Sequence, residues 1–256
     1  MSPHISIKGE TIFALFGFPF TNSLITSLLM VILFIFIAKY YYVQIKKKDR
    51  SLSFYALHSI FIAIYEMINS VLREKTKTFF GLLGAFFFFI LLCNWSGLIP
   101  GVGSVLIKPS VQHEVQISEE TVKKIPLFRG GTADLNTTVA LALISVILTQ
   151  IFGFKYLGPK EHLKKYFDFR DPIMIMLGPL EIIQEFARII SFGFRLYGNI
   201  FAGEVLLTII PFLLPVFFSF VVAPLFMMEI FVGLVQAFVF VMLSAVFINM
   251  ATTEHH

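Results

Sequence analysis

Apolar and polar positions along this chain separate into long blocks. Uncharged stretches occupy residues 11–38, 78–107, 135–154, 205–228 and 230–253, with the charges gathered between them. A hydrocarbon core ~30 Å thick is crossed by about 20 helical residues, so each block is long enough for a transmembrane helix. Residues 51–72 form a further apolar stretch interrupted only by Glu66. Its polar residues and their neighbours (Ser51, His58, Ser59, Glu66, Asn69, Ser70 and Arg73) fall within an arc of about 120° at the helical period. Apolar residues cover most of the remaining surface, which favours a helix lying in the membrane interface over one that crosses.

The expected elements are an outer N-terminus at 1–14, a first span at 15–40, an in-plane helix at 52–76 and a second span at 78–100. An outer loop at 101–134, a third span at 135–157 and a long helical hairpin over 173–252 complete the chain. Pro211 and Pro215 bracket the hairpin turn, because proline breaks a continuing helix, which places the two helices at 173–211 and 216–252.

Composition agrees with this pattern. Of 256 residues, 57% are hydrophobic and 14% charged, against roughly a quarter charged in a soluble domain. The fold class expected is an all-α membrane protein with about five embedded spans and one in-plane helix. The single cysteine, Cys93, excludes a disulfide framework and a cysteine-based metal site. The net charge of +4 lies in short loops between apolar blocks, a membrane-topology pattern that gives no reason to expect nucleic acid. The first apolar block is too long for a signal-peptide core and lacks a small-residue cleavage site, so it is read as a retained span. No P-loop, HExxH or GxSxG pattern occurs. No enzyme activity, cofactor or metal is therefore expected.

Lysine and arginine number eight in residues 39–77 and five in 155–170, while the four in 101–134 are balanced by Glu114, Glu119, Glu120 and Asp134. The positive-inside rule puts the first two segments inside and the third outside. The N-terminus is then outside and the C-terminus inside. The terminal His255-His256 pair reads as a tail rather than a metal site.

Ionisable side chains within the apolar hairpin are costly and mark function by default. On a helix Glu181, Gln184, Arg188, Arg195 and Asn199 lie within about 40° of Arg195's direction. They form a stripe about 27 Å long at a rise of ~1.5 Å per residue. Glu204 points the opposite way. The last helix carries Glu229 and Gln236, seven residues apart and so on one face. In an antiparallel hairpin, residues at equal depth share an index sum. Arg195 with Gln236 and Glu204 with Glu229 nearly do, both centring the turn beside Pro215. A structural ion pair could explain a buried arginine. No carboxylate shares the depth and face of Arg195, so its partner is expected on another subunit.

These residues resemble a known family. The run Arg195-Leu196-Tyr197-Gly198-Asn199-Ile200-Phe201-Ala202-Gly203-Glu204 is similar to the signature of subunit a of F-type ATP synthases, in the bacterial form with Gly198 before Asn199. The likeness extends to Val235-Gln236-Ala237-Phe238-Val239-Phe240, Asn94-Trp95-Ser96-Gly97-Leu98-Ile99-Pro100, Thr132-Ala133-Asp134-Leu135-Asn136 and Pro19-Phe20-Thr21-Asn22-Ser23. It implies a stator whose tilted hairpin lies against a ring of c subunits, in a bacterial inner membrane, with b subunits and the F1 sector as further partners. By this resemblance Arg195 faces the ring carboxylate, with Asn199 and Gln236 beside it. Glu204, Glu229, Asp134 and Asn136 line an outer half-channel, and Glu181, Gln184 and Arg188 an inner one. Many bacterial members pair the acid at the position of Glu204 with a histidine where this chain has Glu229. Two glutamates are expected to share a proton there. The competing classes are a solute carrier, which favours inverted repeats or broken paired helices, and a membrane scaffold, which leaves the polar stripe unexplained. Coupling to H⁺ or to Na⁺ is not legible, because the ion's ligands lie mainly on the ring.

Overall fold

The computed structural model describes residues 9–15, 18–99, 101–102, 105–107, 125–164, 172–213 and 220–253. Pro215, His113 and the terminal histidines lie outside the described residues. Strands β1 (Thr11–Leu15) and β2 (Phe18–Thr21) precede helices α1 (Asn22–Ile45), α2 (Leu52–Leu72) and α3 (Thr76–Ser96). Strands β3 (Leu106–Ile107) and β4 (Ile125–Pro126) are followed by α4 (Leu135–Lys164), α5 (Pro172–Leu213) and α6 (Val222–Thr252). Five stretches are long and apolar enough to cross a membrane. The protein is an all-α membrane protein, with two short antiparallel strand pairs as its β structure among the described residues.

The first span differs from its expected start. Residues 18–21 are extended, and α1 begins at Asn22. Pro19 disfavours helical backbone at Phe18, and the Thr21 hydroxyl caps α1 by accepting the Leu24 N–H at 3.3 Å. The block is uniformly apolar, and composition does not distinguish an apolar strand from a helix there. At the hairpin, α5 runs past Pro211 to Leu213. A proline near a helix end forfeits one hydrogen bond without abolishing the last turn. Helix α6 starts at Val222, and Pro224 sits in its first turn, where N–H groups lack helical partners anyway.

Residues 52–96 would measure about 68 Å as one helix, far more than a bilayer needs. Arg73 breaks them, with φ 49° and ψ −115°. Thr76 Oγ1 then donates to both Asn69 Oδ1 (3.0 Å) and Arg73 O (2.7 Å), closing the corner. Helix α2 buries Phe54, Ile64, Ile68 and Leu72 while Ser59, Glu66, Asn69 and Ser70 stay exposed. In α4 the backbone leaves the helical region at Gly158 (φ 80°), next to Pro159.

The chain packs as two compact units. The first comprises Met1–Asp49, Phe88–Thr137 and Leu196–Ala237. In it α1 buries only polar residues, namely Asn22, Ser23, Thr26 and Ser27, leaving an apolar outer surface suited to lipid. Asn94 Nδ2 donates to Gly233 O at 2.8 Å, and its Oδ1 accepts from Thr132 Oγ1 at 2.7 Å. Trp95 Nε1 reaches Ile230 O at 3.1 Å. The segment 129–134 is thereby held between α1, α3 and α6.

The second unit comprises Arg50–Phe87, Thr138–Arg195 and Phe238–His256. Its core is aromatic: Phe192 packs on Phe240 and Phe247 at ring distances of 5.1 and 5.8 Å, and Phe79 on Phe152 at 4.7 Å. The Ser145 and Ser244 hydroxyls bond each other at 2.8 Å. Lys75 Nζ donates to Thr252 O at 2.8 Å, occupying a carbonyl at the C-terminal end of α6.

Gly131 is fixed by close approach. A Cβ there would overlap Ser27 Oγ and lie 3.1 Å from Cys93 Sγ. Gly131→Ala is expected to destabilise the fold by about 1–3 kcal/mol, the usual cost of overpacking. The check is the melting temperature of the purified protein in detergent, and an unchanged value would contradict the close approach.

Candidate functional site

In the first unit, polar groups from four segments converge. Asp134 is buried, with extended backbone (φ −110°, ψ 124°), and its Oδ1 accepts the Asn136 N–H at 3.2 Å. That geometry caps the start of α4, so both residues have a structural role as well as their expected place near an outer path. Asn199 on α5 donates through Nδ2 to Gln236 Oε1 on α6 at 2.8 Å. Gln236 is buried and Asn199 exposed.

The two glutamates have different neighbours. Glu204 meets Arg129, whose Nε lies 3.2 and 3.3 Å from the carboxylate oxygens and whose Nη2 lies 3.2 Å from Oε2. Glu229 is buried on α6 with its carboxylate over Gly203, where any Cβ would collide with it. Among the described residues Glu229 has no hydrogen-bond or ion-pair partner. Sequence reasoning missed Arg129. It counted that residue toward the charge balance of the loop, and a pairing across 75 positions leaves no local pattern.

In the second unit, Arg188 Nη1 pairs with Glu185 Oε2 at 3.0 Å, and its guanidinium lies 3.6 Å from the centre of the Phe247 ring. Glu185, also missed, is one turn back on the same helix. Glu181 is half-buried and Gln184 exposed. Arg195 is different. It is exposed, and among the described residues its one side-chain partner is Ser191, whose Oγ accepts from Nη2 at 3.2 Å. Another side of α5, roughly 100–180° around the helix from it, carries Ile183, Phe186, Ile190 and Phe194, each more than half exposed. A permanent cation exposed on a helix long and apolar enough to cross a membrane carries a large cost there unless another chain supplies the counter-charge.

Among the described residues no group of three or more His, Cys, Asp or Glu side chains could hold a metal ion. A cavity of about 530 Å³ lined by Tyr65, Asn69, Arg73, Glu74 and Lys77 contains none of the site residues.

The sequence profile of the ATP synthase A chain family matches residues 23–249. The chain belongs to that family. "ATP synthase subunit a" of Syntrophobacter fumaroxidans is 32% identical over 199 residues, covering 77% of this chain and 70% of its own. "ATP synthase subunit a 2" of a Bradyrhizobium species is 33% identical over 195 residues, covering 76% and 73%. The Bacillus pumilus "ATP synthase subunit a" is 38% identical over a shorter 143 residues, half of this chain.

In this member of the A chain family the Glu229 carboxylate needs the bare backbone of Gly203. Gly203→Ala is expected to displace Glu229 or push α5 and α6 apart. Either shift should destabilise the fold by about 1–3 kcal/mol, the usual cost of overpacking. The melting temperature of the purified Gly203→Ala protein in detergent is the check, and an unchanged value would contradict the close approach.

Proposed function

We propose that this chain is the proton-translocating stator subunit of the Fo sector of a bacterial ATP synthase. Supporting the reading is one observation above the rest: Arg195 stands exposed, on the side of α5 that also carries Gln184 and Asn199, with a single neutral partner among the described residues. Its counter-charge is the carboxylate of a c-subunit ring. The Asn199–Gln236 pair lies beside that contact. Glu204, Glu229, Asp134 and Asn136 line the outer half-channel; Glu181, Gln184 and Arg188 line the inner one. The chain itself does no ATP chemistry, which belongs to the F1 sector; b subunits of the peripheral stalk hold it against the ring.

The residue types fit the task. A ring carboxylate can enter lipid only when neutral, since a bare charge there costs at least several kcal/mol. It gains its proton from the outer path and loses it to the inner one. Arginine stays protonated and cannot relay the proton, so Arg195 attracts each ionised carboxylate passing between the paths and keeps the two from short-circuiting. A charge carried through 100 mV supplies ~2.3 kcal/mol. In-plane α2, an outer N-terminus and an inner C-terminus complete the arrangement.

Two outcomes test this reading. Arg195→Ala is expected to assemble, to lose ATP-driven pumping and ATP synthesis, and to leak protons passively. Arg195→Lys should also fail in coupled transport, because lysine is a point charge that deprotonates when buried. Normal coupled pumping by assembled Arg195→Ala complexes would overturn the proposal. For topology, cysteines placed at Lys47 and Lys75 should label from one side and at Lys123 from the other. The native Cys93 is buried and gives little background. Labelling of Lys47 and Lys75 from opposite sides would make α2 a span.

A further inference from the structure

Arg129 is the cation that the outer cluster is built around. Its side chain is 7% exposed, while that of Glu204 is 42% exposed. Thus the base is fixed in protein and the acid keeps an open side. The backbone holding Arg129 is anchored independently of α5. Its N–H donates to Thr26 Oγ1 on α1 at 3.3 Å, and the following Gly131 is wedged against Ser27 and Cys93. From that anchor the guanidinium reaches across to grip both oxygens of Glu204. Such a fork fixes orientation as well as distance.

The charged and titratable groups around this pair come from several elements. Helix α5 contributes Glu204 and Tyr197, and the turn before α4 contributes Asp134. Tyr197 lies within electrostatic reach of Arg129, Glu204 and Asp134 together. Helix α6 contributes Glu229, which lies over Gly203, the residue next to Glu204. Around Gly131, α1 presents the Ser27 hydroxyl and α3 the Cys93 thiol.

We infer that Arg129 is a positioning residue of the outer proton path: by holding Glu204 as a fixed anion it leaves Glu229 as the carboxyl that moves the proton. Glu229 takes a proton from outer water and hands it to the ring carboxylate, returning to its starting form, and no other bond changes. Arg129 touches neither proton nor ring and acts only through Glu204. Loss of this pair would leave the Glu204 carboxylate, which is already 42% exposed, free to leave its fixed orientation. The inference rests on the proposed function and assigns the work within its outer half-channel.

The experiment measures ATP-driven pumping against pH in inverted membrane vesicles containing the whole complex, with assembly checked for every variant. Arg129→Gln is expected to slow pumping at least about tenfold, as misplacement at a transfer site does, and to change the shape of the pH profile. Arg129→Lys should recover part of the rate and the wild-type profile, because it keeps the charge. In a Glu204→Gln background, adding Arg129→Gln should cost nothing more. A slow Arg129→Gln complex with an unchanged pH profile would make the arginine merely structural and overturn the inference, as would an equal cost in both backgrounds. Arg195→Ala separates the two levels. If it fails to pump while Arg129→Gln pumps like wild type, only the role of Arg129 falls; if it pumps normally, the reading beneath falls with it.

Discussion

The Asn94 amide is bonded at both ends, to the Gly233 carbonyl of α6 and to the Thr132 hydroxyl of the segment before α4. Asn94, Thr132 and Gly233 are all buried, so leaving either group unsatisfied costs about 1–3 kcal/mol. That constraint makes a single side chain decisive. Gly233 lies between Glu229 and Gln236 on α6, so the bond to its carbonyl sets the position of both. The bond to Thr132 holds the segment that carries Arg129 and Asp134. Removing the amide would release the two sides of the cluster together.

The packing of the two units explains why the polar groups divide as they do. In the first unit the buried Arg129 guanidinium pairs with Glu204 and the amides of Asn94, Asn199 and Gln236 find partners, while Glu229 has none among the described residues. In the second, rings fill the core, and on α5 Arg188 is neutralised locally by Glu185 and stacked over the Phe247 ring. Arg195 is the exception, held by a serine alone among the described residues.

How much of this was readable beforehand depends on the range of the interaction. Helical blocks, the arginine stripe and the family signature rest on periods of a few residues, and they are legible in one sequence. The index argument paired Arg195 with Gln236, whereas Gln236 bonds Asn199, one turn further along and about 6 Å away. Equal-depth reasoning cannot resolve a single turn. The β1–β2 pair was hidden because an apolar strand and an apolar span share a composition. Arg129 was hidden because a loop cation and an acid on a distant helix share nothing local. Glu185 was overlooked because it lies off the stripe while Arg188 lies on it.

Ile183, Phe186, Ile190 and Phe194 present hydrocarbon with no hydrogen-bonding groups on the outward side of α5. Dispersion between such surfaces is weak per atom pair and has little direction, so a lipid tail or an apolar helix seated there finds no bond that fixes one register. The Arg195 guanidinium projects from another side of the same helix, so α5 turns a surface without directional bonds one way and a permanent charge the other.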